Sequence, residues 1–296
     1  MRALTYSVRV RLRIDPAYAL QVTIWEYFES DLRGGGVGLN PAWDIAFGAL
    51  LVTLAWWYRS ESPDRLGISR GRQALFNLGL GLAAIVLVGP IPHFAVRIFA
   101  FHMVQHVSLM MLIAPLLILG SPAKVLLASR HPQVQRSARA LASNFLFRQL
   151  FRPEVGFVIF LTTLIMTHFS PLANVGMRNS HVHSLTLLLF LISGSIYYLP
   201  VLSGNPSPYP ASYATRVLSL FVMMLPETMT GFFLYSGNHL LHDHPTSVSA
   251  NSALGDQHAG GAIMWAMGML IDAIWIALAV KEWFANEKLL GEAADQ

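Results

Sequence analysis

The chain has 296 residues, of which 54% are hydrophobic and only 12% are charged, and it contains no cysteine. Soluble domains carry about 25% charged residues, so half that share excludes an ordinary aqueous fold, and the high hydrophobicity excludes disorder. Without cysteine, disulfides, thiolate zinc sites, iron–sulfur clusters and a cysteine nucleophile are excluded. The net charge of +4 does not indicate nucleic-acid binding, because the basic residues are distributed as in the loops of a membrane protein.

The apolar segments predict an all-α integral membrane protein of about seven transmembrane helices in one bundle. A helix needs about 20 apolar residues to cross the hydrocarbon core of a bilayer. Seven segments come close to or reach that length: 41–58, 74–92, 98–120, 155–175, 183–202, 217–237 and 259–280. They divide the chain into a basic N-terminal segment (1–40), a seven-helix membrane domain (41–283) and a C-terminal tail (284–296).

The basic residues predict the orientation of these helices. The connections 59–73 and 121–154 are rich in arginine, whereas the opposite connections hold only Arg97 and Arg178. By the positive-inside rule, the arginine-rich connections and the C-terminal tail face the cytoplasm of a bacterial inner membrane. Seven spans place residues 1–40 outside despite their arginines, so we interpret this segment as external or as lying in the membrane interface.

In this topology the histidines gather on one side of the membrane. Of the 11 histidines, only His131 falls on the predicted cytoplasmic side. His102 and His106 in the third span are four residues apart, which places both imidazoles on one helix face, close enough to share a metal ion. Met110 continues that face one turn deeper, and His168 reaches a similar depth from the fourth span. Further candidate ligands in the outer parts of the fifth and seventh spans are His181, His183, His258 and Met264.

The types of candidate ligand favour copper as the bound metal. Imidazole suits zinc, copper, iron and nickel, and the thioether of methionine favours Cu(I). The chain has 12 methionines and no cysteine, so methionine is the only soft donor. The structural alternative is that each histidine hydrogen-bonds a neighbouring helix and each methionine packs in the core. The predicted external segment 238–244 is either a metal-capture loop or a solvated polar loop, and its histidines are His239, His242 and His244.

Several acidic residues lie in or near the predicted spans. Glu227 follows Pro226 in the middle of the sixth span and Asp272 lies deep in the seventh, where a carboxyl group is costly and points to function. Each is either a neutral acid bonded within the bundle, or a proton relay or metal ligand. Asp44 and Asp256 lie near the outer surface, where they would orient ligand imidazoles, and Asp256 alternatively caps the seventh span. Close helix approach is predicted at Gly194, Gly231, Gly260 and Gly261.

Two motifs carry a resemblance to a known family. The segment Phe101-His102-Met103-Val104-Gln105-His106, followed by Ala114-Pro115-Leu116-Leu117-Ile118-Leu119-Gly120-Ser121-Pro122, resembles the signature of the multi-span bacterial cytochrome c oxidase assembly factors called CtaG. They are distinct from the single-span copper chaperone of the same name. The segment Asp256-Gln257-His258-Ala259-Gly260-Gly261-Ala262-Ile263-Met264-Trp265 is similar to the element that opens the final span of this family. The resemblance extends over roughly residues 41–283.

The resemblance implies a role in the maturation of a haem–copper oxidase, with copper delivered to its subunits. The implied partners are cytochrome c oxidase subunits and a periplasmic copper chaperone. The ligands carried over by motif match are His102, His106, His168 and His183. The chain departs from the family pattern at Leu187, where a second histidine is expected one turn after His183.

Three functions follow from these residues. The first is a non-enzymatic assembly factor that binds copper through His and Met side chains in the outer leaflet and passes it to an oxidase. The second is a membrane cytochrome b, with His106 and His168 as axial ligands of haem b and a quinone as electron partner. The third is a channel or transporter that uses Glu227 and Asp272.

Overall fold

In a computed structural model of the chain, the structure describes residues 40–202, 206–241 and 250–294. These residues are almost entirely helical, and no strand occurs among them. The predicted all-α fold is therefore confirmed. The α-helices are α1 (Pro41–Ser60), α2 (Arg70–Leu87), α3 (Pro90–Ala95), α4 (Phe99–Val107), α5 (Ala114–Leu119), α6 (Pro122–Leu127), α7 (Pro132–Ser143), α8 (Phe145–Gln149), α9 (Pro153–Phe169), α10 (Pro171–Arg178), α11 (Ser180–Val201), α12 (Tyr213–Ser236) and α13 (Ala250–Ala294).

Five helical stretches of the described residues are long and apolar enough to cross a membrane: Arg70–Ala95, Phe99–Leu119, Ser180–Val201, Tyr213–Ser236 and Ala253–Ala293. The pair α9 and α10, bent by 68° at its junction, would make a sixth if it is one span. The predicted first span forms the 20-residue helix α1, which contains Asp44 and Arg59 and is not among these stretches. The protein is thus built as a multi-pass membrane protein, but a count of seven spans is not confirmed.

The bend between α9 and α10 follows directly from the sequence. Pro171 cannot continue the hydrogen-bond ladder of α9, and it disfavours helical geometry at the residue before it. Ser170 accordingly leaves the helix in an extended conformation, and its hydroxyl oxygen accepts a hydrogen bond from the backbone N–H of Leu172 at 3.1 Å. The Ser170-Pro171 step therefore ends α9 at Phe169 and starts α10 at Pro171.

A π-helical segment, Ser108–Ile113, interrupts the third span between α4 and α5. Pro115 has no N–H, so the carbonyl of Met111 four residues earlier lacks the donor that an α-helix would supply. The indole Nε1 of Trp275 in α13 donates to this carbonyl at 2.8 Å. The wide turn is therefore stabilised by a side chain from another helix, as a backbone carbonyl in a membrane core requires.

Glycines allow two helix pairs to touch through their backbones and a third pair to place a side chain directly on a glycine, and this close approach was predicted. A Cβ at Gly194 of α11 would lie 2.4 Å from the carbonyl oxygen of Met110 in the π-helical segment. A Cβ at Gly261 of α13 would lie 2.4 Å from the backbone nitrogen of Tyr235 in α12, and one at Gly260 would meet the ring of Phe99 at 2.5 Å. These contacts fix α4, the π-helical segment, α11, α12 and α13 around the buried histidines.

At the arginine-rich end of the bundle, a buried carboxylate joins two connections. Glu61 is 1% exposed. It accepts hydrogen bonds from the hydroxyl of Ser129, from the backbone N–H of Arg130 at 2.7 Å and from the guanidinium of Arg65 at 3.4 Å. Burial by itself raises the pKa of Glu61, but the hydrogen bonds from Ser129 and Arg130, with the charges of His131 and Arg65, lower the pKa below its usual value.

The substitution Glu61→Gln is expected to reduce the free energy of unfolding by about 1–2 kcal/mol at neutral pH, because the hydrogen bonds from Ser129 and Arg130 lose their charged acceptor. A carboxylate whose pKa is lowered by folding stabilises the protein above its unfolded-state pKa, and this contribution disappears as the pH falls through the folded-state pKa. The difference between the two proteins should therefore shrink in acid. Thermal unfolding in detergent at neutral and acidic pH measures it, and an unchanged difference would contradict this account.

Candidate metal centre

Two histidines of α4 and one of α11 meet in the interior of the bundle. His102 and His106 are each 5% exposed, and their ring centroids are 4.0 Å apart, as expected for residues one helical turn apart. The ring of His183 lies 4.9 Å from that of His102. One nitrogen from each of the three imidazoles falls within 4.8 Å of the others. We call His102, His106 and His183 the three-histidine cluster, and three imidazoles facing one point can coordinate a metal ion while leaving a position open.

His168 of α9 lies beside this cluster. Its ring is perpendicular to that of His106, with the centroids 5.6 Å apart, and it is 3% exposed. The Nδ1 atom of His168 lies 2.8 Å from the carbonyl oxygen of Leu164 one turn earlier. Since only a protonated nitrogen can donate to a carbonyl, Nδ1 carries the proton and Nε2 keeps the lone pair. His168 therefore keeps a lone pair on Nε2 at the edge of the cluster.

Gln105 orients His183, a role that was not predicted from the sequence. Its Nε2 donates to the carbonyl oxygen of Val86 in α2 at 2.8 Å, which directs its Oε1 towards Nε2 of His183 at 3.2 Å. His183 Nε2 is therefore the protonated nitrogen, and Nδ1 holds the lone pair. Metal-binding histidines usually donate their second ring nitrogen in this way. The sequence feature that could have indicated this role is that Gln105 is a polar side chain on the same helix as His102 and His106.

Asp256 fixes the start of the helix that carries the two central histidines. Its carboxylate accepts hydrogen bonds from the backbone N–H groups of Phe99 at 2.6 Å and of Ala100 at 3.1 Å. These are unsatisfied amides in the first turn of α4, where a negative charge also interacts favourably with the helix dipole. The prediction that Asp256 caps the seventh span was wrong, because α13 begins at Ala250 and Asp256 lies inside it.

A narrow cleft opens beside the cluster under the short helix α10. Its polar wall contains His102, His106, His183, Thr167 and Thr186. The bend at Ser170 lays α10 across this cleft, and four α10 residues close it: Leu172, Ala173, Gly176 and Met177. The cluster thus lies close to an end of the bundle and is covered there by the short helix α10.

The structure places the other predicted ligands outside the three-histidine cluster. His181 is exposed, and its Nδ1 accepts a hydrogen bond from the indole N–H of Trp43 at 2.9 Å. His258 donates from Nε2 to the carbonyl of Gly237 at 2.8 Å. Met110 and Met264 are buried in the hydrophobic core, as is Leu187. Asp44 lies in the first turn of α1.

The predicted capture loop is described only in part. His239 is exposed, and its backbone carbonyl accepts a hydrogen bond from the side chain of Gln257 at 3.2 Å. His242 and His244 lie outside the described residues, as do residues 1–39. Metal capture at this loop stays a prediction.

The comparisons with known proteins agree with these motifs. The sequence model of the cytochrome c oxidase caa3 assembly factors matches residues 40–286. Uncharacterized proteins of Mycobacterium bovis and Mycobacterium tuberculosis are each 25% identical over 294 residues, which cover 95% of this chain and 42% of theirs. An uncharacterized protein of Mycobacterium leprae is 27% identical over 209 residues, which cover 67% of this chain and 32% of its own.

The chain therefore spans less than half the length of these curated relatives. No solved structure matches the chain. The family match covers both quoted motifs, from α1 to the later part of α13, and it confirms the resemblance found in the sequence. The chain belongs to the family of cytochrome c oxidase caa3 assembly factors.

Proposed function

We propose that this protein binds copper at the three-histidine cluster and supports its delivery to a cytochrome c oxidase during assembly. The observation that carries the proposal is the convergence of one nitrogen each from His102, His106 and His183 within 4.8 Å. Family membership supports association with the oxidase, and the role is that of an assembly factor without a catalytic step of its own.

The donor set fits copper as cargo. Imidazole nitrogens bind both Cu(I) and Cu(II), and three of them leave a coordination position through which a partner's ligand can take the ion. His168, with its Nε2 lone pair beside His106, would supply a fourth imidazole while the ion enters or leaves. A buried ligand set keeps its geometry between loading and release, since Gln105 and Leu164 hold the second nitrogens of His183 and His168.

The proposed direction of transfer follows the predicted topology. The cluster lies at the end of the bundle that the sequence analysis assigns to the periplasmic side, so a periplasmic copper chaperone would load it and oxidase subunits would receive the ion. His239, exposed after α12, would contribute to capture of copper ahead of the buried cluster.

The cytochrome b alternative is less compatible with the packing around His106. A haem between His106 and His168 needs an open slot for a flat macrocycle. The ring of His106 instead lies 4.0 Å from that of His102 and 4.4 Å from that of Phe190. These side chains occupy the space that the macrocycle would need.

The test compares the copper content of the purified protein with that of the variant His102→Ala/His106→Ala. We expect copper in the parent protein and only background copper in the variant. In cells that carry the variant in place of the parent protein, we also expect a reduced copper content of the oxidase. His93→Ala is the control, since His93 contacts the carbonyl of Gly89 outside the cluster. Equal copper content in the parent and the double variant, or a Soret absorption band in the parent, would overturn the proposal.

Gln105→Leu is expected to lower copper affinity by about tenfold, because loss of an orienting hydrogen bond to a ligand histidine typically costs 10–100-fold. Gln105→Glu keeps an acceptor for His183 and should retain more affinity than Gln105→Leu. Competition titrations with a copper chelator measure both values. Equal affinities in the two variants would show that the bond to His183 does not matter.

A further inference from the structure

A pair of carboxyl groups lies in the membrane-spanning core and takes no part in the proposed copper chemistry. Glu227 of α12 is 3% exposed and Asp272 of α13 is 2% exposed. Their helices pack backbone to backbone at Gly231 and Gly261, and the two carboxyl groups are neighbours across this contact. From the sequence they are predicted only as two separate buried acids, because nothing in the chain order indicates that α12 and α13 bring them together.

The pair has no positively charged partner among the described residues. Both carboxyl oxygens of Glu227 and Oδ2 of Asp272 are fully buried and receive no hydrogen bond from a donor group. No ion pair joins either side chain to a described basic residue. The titratable groups that face them from α11 are the phenols of Tyr197 and Tyr198, and the hydroxyl of Tyr197 contacts Ser219 at 3.2 Å.

Electrostatics then restricts the charge that the pair can carry. Two ionised carboxylates side by side repel each other strongly in a medium of low dielectric constant. When one carboxyl group is ionised, its neighbour therefore keeps its proton. Placing a charge in the membrane interior adds a further cost. A hydrogen bond between two carboxyl groups also needs a proton, since neither has a donor when both are ionised.

We propose that Glu227 and Asp272 form a proton-binding site inside the membrane, in which the two carboxyl groups share a proton. The site is separate from the three-histidine cluster and does not depend on the copper proposal. Asp272 is one helical turn from Trp275, which holds the π-helical segment through Met111. A change in the protonation of this pair would therefore occur next to the π-helical segment, which follows the histidine-bearing helix α4.

Infrared spectroscopy of the purified protein in detergent tests the assignment. A protonated carboxyl group gives a carbonyl stretching band, shifted by deuterium exchange, that an ionised carboxylate lacks. We expect this band at neutral pH in the parent protein and its loss in Glu227→Gln/Asp272→Asn. Absence of the band in the parent, or its persistence in the double variant, would overturn the proposal.

Single variants keep the test decisive if the double variant fails to fold. Glu227→Gln replaces a protonated carboxyl by an amide that can still donate to Asp272, so its melting temperature should stay close to that of the parent. Glu227→Ala removes the shared hydrogen bond and should melt at a lower temperature. The competing occupant is a sodium ion held by two carboxylates. A melting temperature that rises with sodium in the parent but not in Glu227→Gln would identify that occupant and overturn the proton assignment.

Discussion

His183→Ala is expected to lower copper affinity by about 100-fold or more, whereas His181→Ala, two residues earlier, leaves affinity near that of the parent protein. Loss of a group that only orients a ligand typically lowers metal affinity by about 10–100-fold. That range is therefore a lower bound for the loss of a ligand itself. His183 belongs to the three-histidine cluster, whereas His181 is exposed and bonded to Trp43.

The two variants form a matched pair. They lie in the same first turns of α11, remove the same side chain and differ in whether the ring faces the cluster. Chelator competition on both proteins, purified in the same detergent, gives the two affinities. A comparable loss in both would place the site at the surface near Trp43, and no loss in either would remove His183 from the ligand set.

Gly194→Val is expected to destabilise the protein by about 3 kcal/mol, the upper part of the range for overpacking a tightly packed interior. The first added carbon would meet the carbonyl oxygen of Met110 at 2.4 Å and the Cβ of Ala114 at 2.9 Å. The backbone of the π-helical segment would have to move, since no flexible side chain stands between the helices.

Gly48→Ala is the control for this prediction. A Cβ at Gly48 in α1 meets nothing within 4 Å. Alanine there should be neutral or slightly stabilising, by about 0.5–1 kcal/mol, because glycine is unfavourable inside a helix. Thermal unfolding of both variants measures the difference. Equal stability of the Gly194 variant and the parent would show that α11 and the π-helical segment are not in backbone contact.

The sequence was most informative where a pattern depends on neighbours along the helix. The spacing of His102 and His106 determines that their rings share a face, and Ser170-Pro171 determines where α9 ends. The long apolar segments predict most of the spans. The helix α1 is the marginal case, because Asp44 and Arg59 lie at its two ends and leave a short apolar stretch between them.

Contacts between helices distant in sequence could not be predicted in the same way. Asp256 binds amides more than 150 residues away, so its effect depends on the packing of α13 against α4. The meeting of Glu227 with Asp272 depends on the same kind of packing. Gln105 was visible in the sequence, but its role depends on which carbonyl of α2 its amide reaches.

The length of α13 has a consequence for the region beyond the membrane. Its 45 residues extend about 68 Å at about 1.5 Å per residue, more than twice the roughly 30 Å hydrocarbon core. Glu282 is joined to Arg216 at the start of α12 by a 2.8 Å salt bridge, and the helix continues past it to Ala294. This projection is a stiff spacer, so a fluorophore on Gly291 would sit at a constant height above the bundle and serve as a ruler for the approach of other proteins.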